Sequence, residues 1–356
     1  MTITLENKHL ALGAASLLAT FQLYRTFSSI FANTKPTKHT NGFSVQVERG
    51  LGSLDPDSEL GKGVNEVYPP DAFEGGSDVR LPNGRVKYYL LGPEEGDKIV
   101  LVHGFSSPCL VWRELGTSLA NAGFRVLMYD HYGRGYSDHP IVPYNGPLYT
   151  TTLALLMNHV GFEKAHICGY SMGAPISISF ADIFPHMVSK IILLAPAGLM
   201  DPTPFRLTRQ IDPTSFIEAP SWLKRLMRPS GPVNYDAKSM PENVRMLAKP
   251  HLTHPRLSEI QSKRPPFVHA LLSTLREGIL FDQDEIYKAI GRRRKNPIHI
   301  IWGTVDKIVP YSLSERMLEY LPSATLDTIE GAGHDLVITN SEHVQKSIID
   351  FLNGRE

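Results

Sequence analysis

Short apolar runs alternate with helix-period segments along the middle of the chain. KIVLVHGF (98–105), FRVLMYD (124–130), KAHICGY (164–170) and KIILLAPA (190–197) each end in turn residues, and Leu153, Leu156, Met157 and Val160 between them recur at helical spacing. Such runs suit strands buried on both faces, so the alternation predicts a parallel sheet with crossover helices. It stops after Gly198, and residues 200–296, rich in proline and helix formers, read as an inserted cap. NPIHIIWG then restores the pattern, followed by a helix near 311–320, a strand near 324–329 and an amphipathic helix ending at Leu352. Upstream, DVRLPNGRVKYYLL carries two extended runs around Asn83-Gly84, a hairpin signal that marks the start of the body. The chain therefore divides into a hydrophobic segment at 1–33, a linker and irregular lead-in at 34–76, core at 77–199, cap at 200–296 and core again at 297–356.

The first of these segments bears on location. Residues 10–24 (LALGAASLLATFQLY) are free of charge and the run resumes after Arg25, so extension through Ile30 reaches the length of a spanning helix. Glu6 offsets Lys8 ahead of the stretch and no small-x-small cleavage site follows, which favours an uncleaved anchor. A cleaved signal or transit peptide and an amphipathic helix packed on the body are the alternatives. Arg25, Lys35 and Lys38 follow the segment, and the positive-inside bias leaves the body facing the cytosol, so the expectation is a membrane-associated intracellular protein.

Composition removes several function classes. The 356 residues are 42% apolar and 20% charged, which is the balance of a folded globule. With 36 basic and 36 acidic residues the net charge is zero, and no nucleic-acid partner is expected. Cys109 and Cys168 cannot build a disulfide framework or hold zinc. His251 and His254 have helical spacing but no carboxylate motif beside them, so no metal and no cofactor are expected.

Gly169-Tyr170-Ser171-Met172-Gly173 fits G-x-S-x-G, a pattern that arises readily by chance and that also fits a serine capping a helix between packing glycines. Its context is stronger, because a buried strand precedes Ser171 and a helical segment follows, as in a nucleophile elbow. Four further segments join it. His103-Gly104-Phe105 follows a strand, DHYGRGYSD spans 130–138, WGTVDKIVP spans 302–310, and Gly331-Ala332-Gly333-His334 lies near the end.

Together these segments resemble the α/β-hydrolase superfamily over about residues 78–353, the cap excepted. The resemblance implies an α/β-hydrolase fold, a mostly parallel central sheet flanked by helices with a helical cap insertion and, here, an N-terminal hydrophobic helix. It implies Ser171 as nucleophile, His334 as base, Asp306 as orienting acid, and the backbone N–H groups of Phe105 and Met172 as the oxyanion hole, with the side chains of those two lining the pocket. Asp201 is an alternative acid that the WGTVD context disfavours, and His103 fits loop shaping better than proton transfer. Epoxide hydrolases and haloalkane dehalogenases of this fold carry aspartate where Ser171 stands, so serine implies an acyl-enzyme. The resulting expectation is hydrolysis of a carboxylic ester of a small lipophilic substrate, with anchored lipase-like monoacylglycerol hydrolases as analogues. Thioester, lactone or carbon–carbon hydrolysis with the same residues, and a non-catalytic receptor, are the alternatives.

Overall fold

The computed structural model describes residues 45–210, 212, 214, 255–293 and 296–354. Its strands in chain order begin with β1 (Val47–Glu48), β2 (Gly76–Leu81), β3 (Gly84–Leu91), β4 (Lys98–Val102) and β5 (Arg125–Tyr129). They continue with β6 (His139–Pro140), β7 (Ala165–Tyr170), β8 (Val188–Leu194), β9 (Ile298–Gly303) and β10 (Ala324–Ile329). Among the described residues β10-β9-β8-β7-β4-β5-β3-β2 form one eight-stranded sheet, while β1 pairs with β6. From β10 to β5 all neighbours are parallel, and β3 is antiparallel to both β5 and β2. Val100, Leu101, Ile167, Leu193 and Ile300 are fully buried, so the apolar runs form the floor of the core. The chain leaves β4 to one side for β5 and to the other for β7, and at such a switch point loops open a crevice beyond the strands' carboxyl ends.

Among the described residues helices pack on the sheet in two groups, in keeping with strands buried on both sides. The lead-in supplies α1 (Glu59–Val67), and the body supplies α2 (Arg113–Asn121), α3 (Gly146–His159) and α4 (Gly173–Ile183). Between β8 and β9 come α5 (Pro255–Ser262), α6 (Pro265–Glu277) and α7 (Asp284–Arg293), followed after β9 by α8 (Leu313–Tyr320), α9 (Leu336–Thr339) and α10 (Ser341–Leu352). Helices α2 and α10 pack on each other, and α3, α4, α7 and α8 pack in succession. Asn145 starts α3 by accepting the Leu148 N–H at 3.0 Å, and Gly278 at φ +80° closes α6 in the left-handed conformation that glycine tolerates.

Two features differ from the sequence expectation. The hairpin turns on Pro82-Asn83, with Gly84 already paired to Leu81; a Cβ there would lie 2.9 Å from the Asp138 Cβ, so the glycine serves close packing rather than the loop tip. From residue 45 on, the lead-in is also more ordered than an irregular linker. Ser58 caps α1 by accepting the Gly61 N–H at 3.0 Å, and Tyr68, fully buried, donates to Asp130 Oδ2 at 3.0 Å. Gly61 and Gly63 obscure this helix because glycine disfavours helices, yet a Cβ at Gly61 would fall 2.1 Å from the Asp55 carbonyl oxygen. The hydrophobic segment 1–33, Trp222, His251 and His254 lie outside the described residues, as does most of the cap before α5. Among the described residues no helix is long and apolar enough to cross a membrane.

Candidate active site

Ser171 sits between β7 and α4 with φ +53°, a left-handed conformation that is unusual for a residue other than glycine. The strain is held by three backbone bonds. Ser171 N–H donates to the Leu194 carbonyl at 2.9 Å, and the Ser171 carbonyl accepts from Ala174 at 3.0 Å and Ala197 at 3.2 Å. The flanking glycines are dictated by contact. A Cβ on Gly173 would lie 1.9 Å from the Val102 oxygen, one on Gly169 2.3 Å from the Gly173 oxygen, and one on Gly104 3.3 Å from the Ser171 Cβ. The elbow is thus pressed against the end of β4.

His334 and Asp306 come to this serine from the loops after β10 and β9. His334 Nδ1–H donates to Asp306 Oδ2 at 2.7 Å, which leaves Nε2 to accept from Ser171 Oγ at 3.0 Å. The other carboxylate oxygen accepts the backbone N–H groups of Ile308 at 2.8 Å and Val309 at 2.9 Å. All three side chains are buried. The two loops are tied together by Val305 N–H to the Ala332 carbonyl at 3.0 Å, and a Cβ on Gly303 would strike that same oxygen at 2.2 Å. Asp201, the alternative acid, is exposed and accepts the Thr203 N–H, which holds its carboxyl below the usual range; it does not meet His334.

Phe105 and Met172 flank Ser171, and among the described residues neither backbone N–H has an intramolecular acceptor. Their side chains diverge. Phe105 lines a pocket with Gly104, Ser106, Ser107, Tyr170, Ser171, Met200, Leu280, Ile308, Val309 and His334, whereas Met172 is fully buried and absent from that lining. His103 shapes the loop: its Nδ1–H donates to the Gly104 carbonyl at 2.9 Å and its Nε2 accepts the His131 N–H at 2.9 Å. Burial lowers its pKa to about 3, so it stays neutral at ordinary pH. Cys109 is fully buried, 3.2 Å from the Tyr68 hydroxyl, and burial raises its pKa well above the usual thiol range. Cys168 is likewise buried.

Tyr170 is a site residue that the motif hides as its first variable position. Its hydroxyl donates to the His334 carbonyl at 2.8 Å and its ring lies 5.3 Å from the imidazole, so it braces the histidine loop. Only the proximity of the β7 end to the loop after β10 reveals this. Among the described residues no group of histidine, cysteine and acidic side chains could hold a metal ion.

The family model of the α/β-hydrolase fold matches residues 98–341, more than half of the chain. The chain belongs to the α/β-hydrolase family and is an enzyme of that superfamily, a hydrolase. Among its relatives is a 2-hydroxy-6-oxononadienedioate/2-hydroxy-6-oxononatrienedioate hydrolase of Paraburkholderia phymatum, 26% identical over 79% of this chain and 94% of the relative. Solved structures of similar fold include an esterase of Thermogutta terrifontis, with TM-score 0.58 and 23% identity over 79% of this chain and 98% of that one. Another is the enol-lactonase of Burkholderia xenovorans, with TM-score 0.59 and 20% identity over 78% of this chain and all of that one.

Proposed function

We propose that the chain hydrolyses a carboxylic ester of a lipophilic substrate through an acyl-enzyme on Ser171. The observation that carries this reading is the unbroken hydrogen-bond line from Ser171 Oγ through His334 to Asp306, set beneath an apolar pocket. In the reaction Ser171 Oγ attacks the ester carbonyl while His334 Nε2 takes its proton, and Asp306 stabilises the imidazolium so formed. The carbonyl oxygen becomes an oxyanion and accepts from the free N–H groups of Phe105 and Met172. Collapse of this intermediate breaks the bond to the alkoxide, which leaves with the proton from Nε2. Water activated by the same nitrogen then releases the acid and restores Ser171.

The pocket lining supports an apolar substrate. Phe105, Met200, Leu280, Ile308 and Val309 supply its walls, and among the described lining residues there is no lysine or arginine to match a carboxylate. Membrane association through residues 1–33, with the body on the cytosolic side, belongs to the same proposal, since it would set the pocket beside lipophilic esters. The relatedness to an oxononadienedioate hydrolase favours a second reading, carbon–carbon cleavage next to a ketone with the same serine. Turnover of a graded acyl-ester panel and of a 2-hydroxy-6-oxo-dienedioate by wild type and Ser171→Ala separates the two. The proposal expects Ser171-dependent hydrolysis of the esters alone; dienedioate turnover without ester turnover would replace it with the second reading.

A further inference from the structure

Arg134 lies in the turn after β5, and its side chain is fully buried, yet among the described residues no carboxylate pairs with it. Its guanidinium is spent on neutral groups. Nε donates to the Phe105 carbonyl at 2.9 Å, Nη1 to the Tyr132 carbonyl at 3.2 Å and the Tyr149 hydroxyl at 3.1 Å, and Nη2 to Thr274 Oγ1 at 3.0 Å. The same guanidinium lies 5.7 Å from the centre of the Phe105 ring, within cation–π range. Burying a cation without an anionic partner is costly, so the chain holds this charge at the expense of stability.

The two ends of this contact set are the telling part. Phe105, which lines the same pocket as Ser171, is gripped by one side chain at both its carbonyl and its ring. Thr274 is in α6, in the segment inserted between β8 and β9, and it is fixed there by donating to the Ala270 carbonyl at 2.7 Å and by the Tyr149 hydroxyl at 2.7 Å. The turn and the helix touch directly, because a Cβ on Gly133 would lie 2.3 Å from the Ala270 Cβ. We infer that Arg134 is a positioning residue that transmits the seating of cap helix α6 to the oxyanion donor Phe105, so that the donor is in place only when the cap is docked. The inference rests on the reading of Phe105 N–H as an oxyanion donor. The peptide that carries the Phe105 N–H is fixed on its Gly104 side by the His103 Nδ1–H on the Gly104 carbonyl at 2.9 Å, and Arg134 fixes Phe105 from its other side, at the carbonyl and the ring.

The test uses the full chain, a short p-nitrophenyl acyl ester, and a trifluoromethyl ketone that forms an oxyanion on the serine. Arg134→Lys keeps the charge but cannot span Phe105 and Thr274, and it should lower kcat about 100-fold with KM within about twofold. Thr274→Val preserves shape and should lower kcat about tenfold, with ketone affinity falling in the same proportion in both variants. Because both act through one link, the double variant should be no slower than Arg134→Lys. Should Arg134→Lys fail to fold, Thr274→Val alone carries the test. Folded variants with unchanged kcat, a loss confined to KM, or ketone affinity that stays constant as kcat falls would overturn the inference. Absence of Ser171-dependent turnover in wild type would instead remove the hydrolase reading beneath it.

Discussion

The two carboxylate oxygens of Asp306 have different partners. One accepts the Ile308 and Val309 N–H groups and fixes the carboxylate; the other receives the His334 Nδ1–H and so decides which imidazole nitrogen is free to accept from Ser171. Asp306→Asn keeps the first task and reverses the second, because its amide nitrogen now faces Nδ1 and favours the wrong tautomer. Such a variant should remain folded with its thermal midpoint near that of wild type, while kcat for an ester falls by roughly four orders of magnitude. A loss of less than tenfold would mean that Asp306 does not orient His334 during turnover. Ser171, Asp306 and His334 are legible in the sequence because the segments that carry them resemble those of the α/β-hydrolase superfamily. Tyr170 and Arg134 are not, because their partners, the His334 and Phe105 carbonyls and Thr274, lie far away in sequence and are brought near only by the sheet and the cap.

At the scale of elements, the contact between the elbow and β4 governs the geometry of Ser171. The Gly173 Cα faces the Val102 carbonyl with no room for a methyl group, so Gly173→Ala must push α4 away from the sheet or distort the φ of Ser171. The expected outcome is a loss of about 3 kcal/mol or more in denaturant unfolding, together with loss of ester turnover. A variant as stable as wild type would show that the strand and helix ends tolerate separation. The same close approaches explain where sequence patterning succeeds and fails. Strands β4, β7, β8 and β9 carry apolar runs because both faces are covered, and they announce themselves. Helix α1 does not, since Gly61 and Gly63 are chosen for contact with Asp55 and Ile260 rather than for helix propensity.

For the whole molecule, acid should be the weak side of stability. His103 and His139 are both buried and neutral, and burial lowers each pKa to about 3, with the Arg264 guanidinium adding to the effect at His139. The unfolded chain holds these imidazoles near pKa 6.5, so below that pH it binds protons that the folded state refuses. Their contribution is thus intact above about pH 6.5 and is lost as the pH falls toward 3, at up to about 1.4 kcal/mol per pH unit for each histidine. Thermal midpoints measured from pH 7 to pH 4 should decline, and His139→Asn should flatten that decline. Equal slopes in the two proteins would show that His139 takes up a proton without unfolding.

The central claim is that Ser171 is a working nucleophile. The most direct measurement is labelling of the full-length protein with a fluorophosphonate probe, with the modified peptide located by mass spectrometry and Ser171→Ala and His334→Ala run beside it. The account predicts one phosphonylated serine, Ser171, in wild type, no adduct in Ser171→Ala, and labelling slowed by at least about a thousandfold in His334→Ala, where no base takes the proton. Folded wild-type protein that stays unlabelled, or that carries the adduct on another residue, would contradict it.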